Sequence, residues 1–363
     1  MKKRELLVFA GQSNMMGAAV YPPKVKLDIK NSYEYKHKNK RLFGKGEFLL
    51  GAHPAGEFSY INLDEAYSEE NAAEGGNSKL AEYIKNTYFC PAMCNIVDDE
   101  KKTTRSFSDF SEATMQVGAS IAPILAADWE ARGGSSAYIH IAKGGVSIRH
   151  YFTDEMAKEY ARRIAKHNAE FGTEFDTTLA ERGRQKGAAE YFDEKVTDFF
   201  CEAEENFKDE DTSERCFFWI QGESDAGMAT KEYQTMLEVL WDKLKTLGLT
   251  KFFMIRIDFF GNERIKNTMA AQEIFCKENE DCYMMSRALS YIPYTKVPMD
   301  PYIRTPDAEY HTGRDTAYGF GNPHINEEGF AIASRRVTEN MVRVLREGKE
   351  PLLEEELVRD LKY

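Results

Sequence analysis

No apolar run in the 363 residues approaches the roughly 20 that a helix needs to cross a bilayer; the longest, 6–10 and 216–220, fall far short. A membrane-spanning helix is therefore excluded. Cysteine is scarce as well, with six in the chain (Cys90, Cys94, Cys201, Cys216, Cys276 and Cys282), scattered without knuckle spacing. Cys90 and Cys94 can form half a metal site, but no second Cys or His pair completes it, so reduced and mostly buried thiols are expected, with no metal. Positive charge is in deficit. Lys plus Arg at 48 against Asp plus Glu at 60 gives a net charge of -12, which argues against a nucleic-acid or anionic-membrane partner. The one basic stretch, 24–45, reads as a solvated loop. Residues 1–4 are basic at three positions, yet only 6–11 follow as an apolar run before Gln12, too short for an export core, and a cytoplasmic protein is expected. Internal repeats and low-complexity tracts are also missing.

What is present is a recurrent pattern. Residues 6–10, 137–142, 216–220, 251–257 and 282–285 are short continuous apolar runs, each ending at glycine or polar residues. Strands covered on both faces read this way, so a parallel sheet of about five strands is expected. Helical spacing over 111–132, 231–247, 267–279 and 326–346 supplies crossovers. The fold class that follows is α/β: a three-layer α/β/α sandwich, in one domain spanning 1–363. Segments 18–105 and 154–212 interrupt the scheme and read as insertions, either substrate walls or surface decoration.

Chemistry is expected where these runs end. Gly11-Gln12-Ser13-Asn14-Met15 follows the first run, and a serine at a strand-to-helix turn is either an exposed nucleophile or a helix cap. A serine nucleophile needs a base. Of seven histidines, His324 is favoured, because it follows the irregular loop 298–323 and precedes the last helix. His150 and His311 are placed on rim loops and stand second; His140 falls inside a strand and reads as core, while His37, His53 and His167 belong to polar or charged segments. The third run ends Trp219-Ile220-Gln221-Gly222-Glu223-Ser224-Asp225, which brings one amide and two carboxylates to one edge. Gly144 and Gly145 add backbone N–H groups. Ordinary turn chemistry accounts for each of these taken singly.

Together, Gly11-Gln12-Ser13-Asn14-Met15, Ile141-Ala142-Lys143-Gly144-Gly145, the 219–225 motif and His324 resemble the carbohydrate acetylesterases of the SGNH hydrolase superfamily, in the branch of acetyl xylan esterases and sialate O-acetylesterases. The resemblance spans 6–345, although the two insertions match by position only. It implies a flavodoxin-like sandwich and a Ser-His hydrolase without cofactor or metal, acting on an acetylated mono-, oligo- or polysaccharide. Carried over residue by residue, it makes Ser13 the nucleophile and His324 the base. Ser13 N–H, Gly145 N–H (or that of Gly144) and the Gln221 amide become the oxyanion donors. Many relatives have an aspartate three residues before the histidine, where this chain has Gly321. Either the enzyme is a dyad or a carboxylate from elsewhere serves, Glu223 ahead of Asp315 and Asp307.

Two other readings stand beside this one. The same machinery would serve short-chain or lipid esters, against which Tyr33, Tyr35, Tyr60 and Tyr67 suggest a sugar-binding rim. A non-catalytic glycan-binding or structural scaffold is the second. Dinucleotide binding is disfavoured, because the later glycines of the phosphate fingerprint are absent after the first run. Paired-carboxylate glycosidase chemistry fails too, since residues i and i+2 leaving a strand do not face each other across a bond.

Overall fold

The computed structural model describes residues 2–16, 27, 29–37, 46–50, 97–98, 103–104, 121–184, 187–257, 263–290, 325 and 327–354. Its centre is a sheet of β1 (Glu5–Gly11), β2 (Tyr33–His37), β3 (Gly46–Leu50), β4 (Ser136–Ala142), β5 (Arg215–Ile220), β6 (Lys251–Ile255) and β7 (Cys282–Ser286). In space the order is β7-β6-β5-β1-β4-β2-β3. Beside a sixth parallel strand, β2, the five runs legible in the sequence form one continuous parallel block. Numbered among themselves they lie 2-1-3-4-5, the doubly wound order of flavodoxin-like folds. In such sheets ligands bind beyond the strand C-termini where the winding reverses, here beside β1, between β4 and β5.

Helices cover both faces, which is why β1 and β4 are buried at every residue instead of alternating. Leu6, Val8 and Ala10 of β1 face one core, closed by α3 (Asp154–Phe171), α4 (Ala188–Asn206), α5 (Thr230–Thr246) and α6 (Lys266–Glu278). Leu7 and Phe9 face the other, closed by α2 (Ile121–Ala131) and α7 (Glu327–Met341). Local chemistry sets the helix ends. Thr153 Oγ1 accepts from Met156 N–H at the start of α3, and Gly172 ends it in the left-handed region at φ 65°.

The sheet has seven strands instead of about five. β2 and β3 come from the segment read as an insertion: β2 runs parallel to β4 and pairs antiparallel with β3. Tyr35 is consequently a core residue, 1% exposed and packed at a tilt against Phe48 and Phe199, and Tyr33 packs beside Phe207. Tyr33 lies level with Ala137, at the end of the sheet away from Gly11 and Ala142, so neither tyrosine borders the serine turn; Tyr60 and Tyr67 lie outside the described residues. In the other long segment, α3 and α4 bury Tyr160, Ile164, Phe192 and Phe199 against the sheet. His140 is buried beside Phe9, as a core histidine. Cys216 and Cys282 are buried, Cys276 is partly so, Cys201 is exposed, and all four are free thiols; Cys90 and Cys94 lie outside the described residues. Among the described residues no helix is long and apolar enough to cross a membrane.

Candidate active site

The register of the sheet brings Gly11, Ala142 and Ile220 side by side at its C-terminal edge. Gly11 has φ 150°, and a Cβ there would sit 2.0 Å from the Ile220 carbonyl oxygen, so only glycine lets β1 and β5 approach so closely. Tyr151 seals the turn, accepting from Gly11 N–H at 3.0 Å and donating to Gly11 C=O at 2.7 Å.

A short helical turn, α1 (Ser13–Met16), follows. Its neighbours are drawn inward. Gln12 is 4% exposed; its N–H donates to Ile220 C=O at 3.0 Å and its Oε1 accepts from Ser224 N–H at 3.2 Å. Asn14 is 2% exposed; its Nδ2 donates to Glu223 Oε1 at 2.8 Å and its Oδ1 accepts from Ile325 N–H at 3.1 Å. Met15 is buried in the second core. Among residues 11–15, Ser13 alone keeps partial exposure. As the first residue of a helical turn it also has an N–H without an acceptor inside the turn.

The turn after β5 is bound to the loop after β4 by a buried carboxylate. Asp225 accepts from Ser147 Oγ through Oδ1, and from Ile148 N–H at 2.9 Å and Gln221 Nε2 at 2.5 Å through Oδ2. Burial raises its pKa above the usual aspartate range, against these hydrogen bonds. Gln221 is fully buried. Besides Asp225, its Nε2 faces Val146 C=O at 3.0 Å and Gln12 Oε1 at 3.3 Å as acceptors, while its Oε1 accepts from Tyr233 OH at 2.7 Å. An amide nitrogen has two protons, so both are held by protein acceptors. The expectation that Gln221 aims its amide at an oxyanion therefore does not match this geometry.

The remaining expected residues distribute as follows. Gly145 is exposed in the loop after β4 with φ 68°, and Lys143 N–H at the start of that loop donates to Gly11 C=O at 3.2 Å. Glu223 is partly buried and joined to the serine turn through Asn14. His324, Asp307, Asp315 and Gly321 lie outside the described residues; Ile325, next after His324, is described, buried and tied to Asn14. His150, on the same loop as Gly145, has its pKa lowered to about 4 by burial and by the nearby charge of Lys143. Sequence reasoning passed over Asn14, Gln12, Ser147 and Tyr151. The first two stand inside the serine motif and were open to notice as polar residues beside it; nothing local marks the other two. Among the described residues no group of three or more His, Cys, Asp or Glu could hold a metal ion.

No protein-family model matches the chain, and no curated protein matches it. Similar solved structures include that of NanS, at 11% identity and a TM-score of 0.49, covering 95% of this chain and 98% of that one. A protein from Arabidopsis thaliana is similar at 12% identity and a TM-score of 0.44, over 93% of this chain and 97% of its own. A carbohydrate acetylesterase from Xanthomonas citri is similar at 11% identity and a TM-score of 0.41, over 95% of this chain and 57% of its own.

Proposed function

We propose that the chain is a serine hydrolase that removes O-acetyl groups from carbohydrates through an acyl-enzyme. One observation carries the reading: at the topological switch point, Ser13 stands partly exposed between two buried amides, and the second of them, Asn14, joins Glu223 to the residue after His324. Burying Gln12 and Asn14 fixes the turn, and the serine between them stays accessible.

In this reading His324 takes the Ser13 proton as Oγ attacks the acetyl carbonyl carbon. The oxyanion is met by the N–H groups of Ser13 and Gly145, each such donor contributing about 3 kcal/mol of transition-state stabilisation. Gln221 has a different part: it holds the turn after β5 against Val146 and Asp225. His324 then returns its proton to the departing sugar oxygen, and water, activated by the same imidazole, releases acetate and free Ser13. Glu223 is the carboxylate that favours the imidazolium. No cofactor enters any step. The acetyl-carbohydrate specificity rests on the motif resemblance, since Tyr35 is buried and Tyr33 lies at the end of the sheet away from the serine turn.

Released acetate, measured on acetylated xylan, acetylated sialic acids and peracetylated simple sugars, tests the proposal. Wild-type turnover on at least one is expected, with Ser13→Ala folded and inactive; near-wild-type turnover in folded S13A would sink the nucleophile assignment.

A further inference from the structure

Asn14 has partners that leave its amide one orientation. The Ile325 N–H can only donate, and the Glu223 carboxylate accepts, so Oδ1 faces Ile325 at 3.1 Å and Nδ2 faces Glu223 at 2.8 Å. A flipped amide would set N–H against N–H and oxygen against oxygen. The two partners come from opposite parts of the chain, 209 and 311 residues away. Both therefore take their position from a side chain whose backbone directly follows that of Ser13.

We propose that Asn14 is the positioning residue of this site: it sets, relative to Ser13, both the Glu223 carboxylate and the backbone one residue beyond His324. The inference rests on the esterase reading and deepens it. Consecutive Cα atoms are about 3.8 Å apart, so a shift of Ile325 is passed on to the base with little slack, and a misplacement of about 1 Å in a reacting group costs on the order of a hundredfold in rate. Leu or Met in place of Asn14 would fill the volume and make neither bond. Aspartate would make only one of them: it still accepts from Ile325, but it places a second carboxylate against Glu223. Two carboxylates sharing one site hold together only while a proton lies between them, so one pKa rises strongly. Asp225 stands in the same turn as Glu223, and Tyr233 from α5 feels the Glu223 charge. They are common to wild type and variant, so their titration cancels in a ratio of the two.

The test uses the full chain on one acetyl ester from pH 5 to pH 8, with folding confirmed at each pH. Asn14→Ala is expected to lose about a hundredfold in kcat with KM within about threefold, and its ratio to wild type should not vary with pH. Asn14→Asp should stand nearest to wild type at pH 5 and fall at least about tenfold further by pH 8. Hydrogen exchange at the Ile325 amide, which requires no turnover, should quicken in N14A and remain slow in S13A. Where N14A does not fold, the N14D pH ratio and Ile325 exchange in Asn14→Ser decide. A folded N14A with kcat within threefold of wild type, an N14D ratio flat in pH, or unchanged Ile325 exchange overturns the proposal. Wild-type protein that hydrolyses no acetyl ester overturns the esterase reading instead, and the Ile325 exchange then still tests the Asn14 link.

Discussion

Asp225 tests whether the two loops at the sheet edge are joined as described. Ser147 Oγ has one proton and two lone pairs, and it accepts from Arg149 N–H at 3.2 Å and Arg149 Nε at 2.8 Å. Its proton is therefore directed at Asp225 Oδ1, while Oδ2 takes Ile148 N–H and Gln221 Nε2. Asparagine has one oxygen for these two places. With that oxygen toward Ile148 and Gln221, its NH2 meets a saturated serine oxygen; turned round, its NH2 meets two donors. Either way a buried donor loses its acceptor, which costs about 1–3 kcal/mol. Alanine strands all three donors, for at least about 3 kcal/mol. The raised pKa of Asp225 bears on the pH dependence. A carboxyl whose folded pKa lies above its unfolded value stabilises the fold most at low pH, and that contribution is lost as pH climbs from the ordinary value toward the folded one. D225N lacks this loss, so its deficit against wild type should shrink as pH rises. Urea unfolding at pH 5 and pH 7, followed through the buried Trp129, Trp219 and Trp241, measures all of this. D225A within about 0.5 kcal/mol of wild type at both pH values would refute the clamp, since that is the size of an ordinary surface substitution.

Glu223→Gln keeps an oxygen for Asn14 but removes the charge, so kcat/KM should drop at least about tenfold, less completely than in His324→Ala, with Asp307→Asn and Asp315→Asn mild. E223Q within a few fold of wild type, beside a collapsed D307N or D315N, would place the carboxylate elsewhere. His150 titrates at about 4 in the fold against an ordinary 6.5, so the neutral form is favoured and stability is lost as pH falls through that window. After discounting for its partial exposure, wild type should lose about 2 kcal/mol between pH 7 and pH 4.5 that His150→Gln does not lose; equal losses in paired urea melts would contradict the burial of this ring.

The five parallel strands were legible because burial on both faces selects unbroken apolar runs, and Phe217-Phe218-Trp219-Ile220 leaves little else to read. The strands β2 and β3 were not. Tyr33-Glu34-Tyr35-Lys36 alternates like an exposed edge, and only the packing of Phe48, Phe199 and Phe207 turns Tyr35 into core. Ser13 was legible as a serine between a strand and a helical turn. Its neighbours were not, because a buried amide has no local pattern: whether Asn14 faces solvent or a carboxylate 209 residues away is decided when β1 and β5 become neighbours. Gln221 shows the same limit from the other side. Its place after a strand marked it only as a candidate donor at the edge. The acceptors around its amide nitrogen come from the β4 loop, from Asp225 and from Gln12 of the serine motif, so only the docking of those segments determined where the amide points. Sequence alone thus determined the alternation of strand and helix and the chemistry at the strand ends, because periodicity and turn residues act over a few positions. Tertiary structure decided which polar groups are held by partners and that Ser13 stays partly exposed between the buried Gln12 and Asn14, because hydrogen bonding in a buried site depends on groups brought together from across the chain.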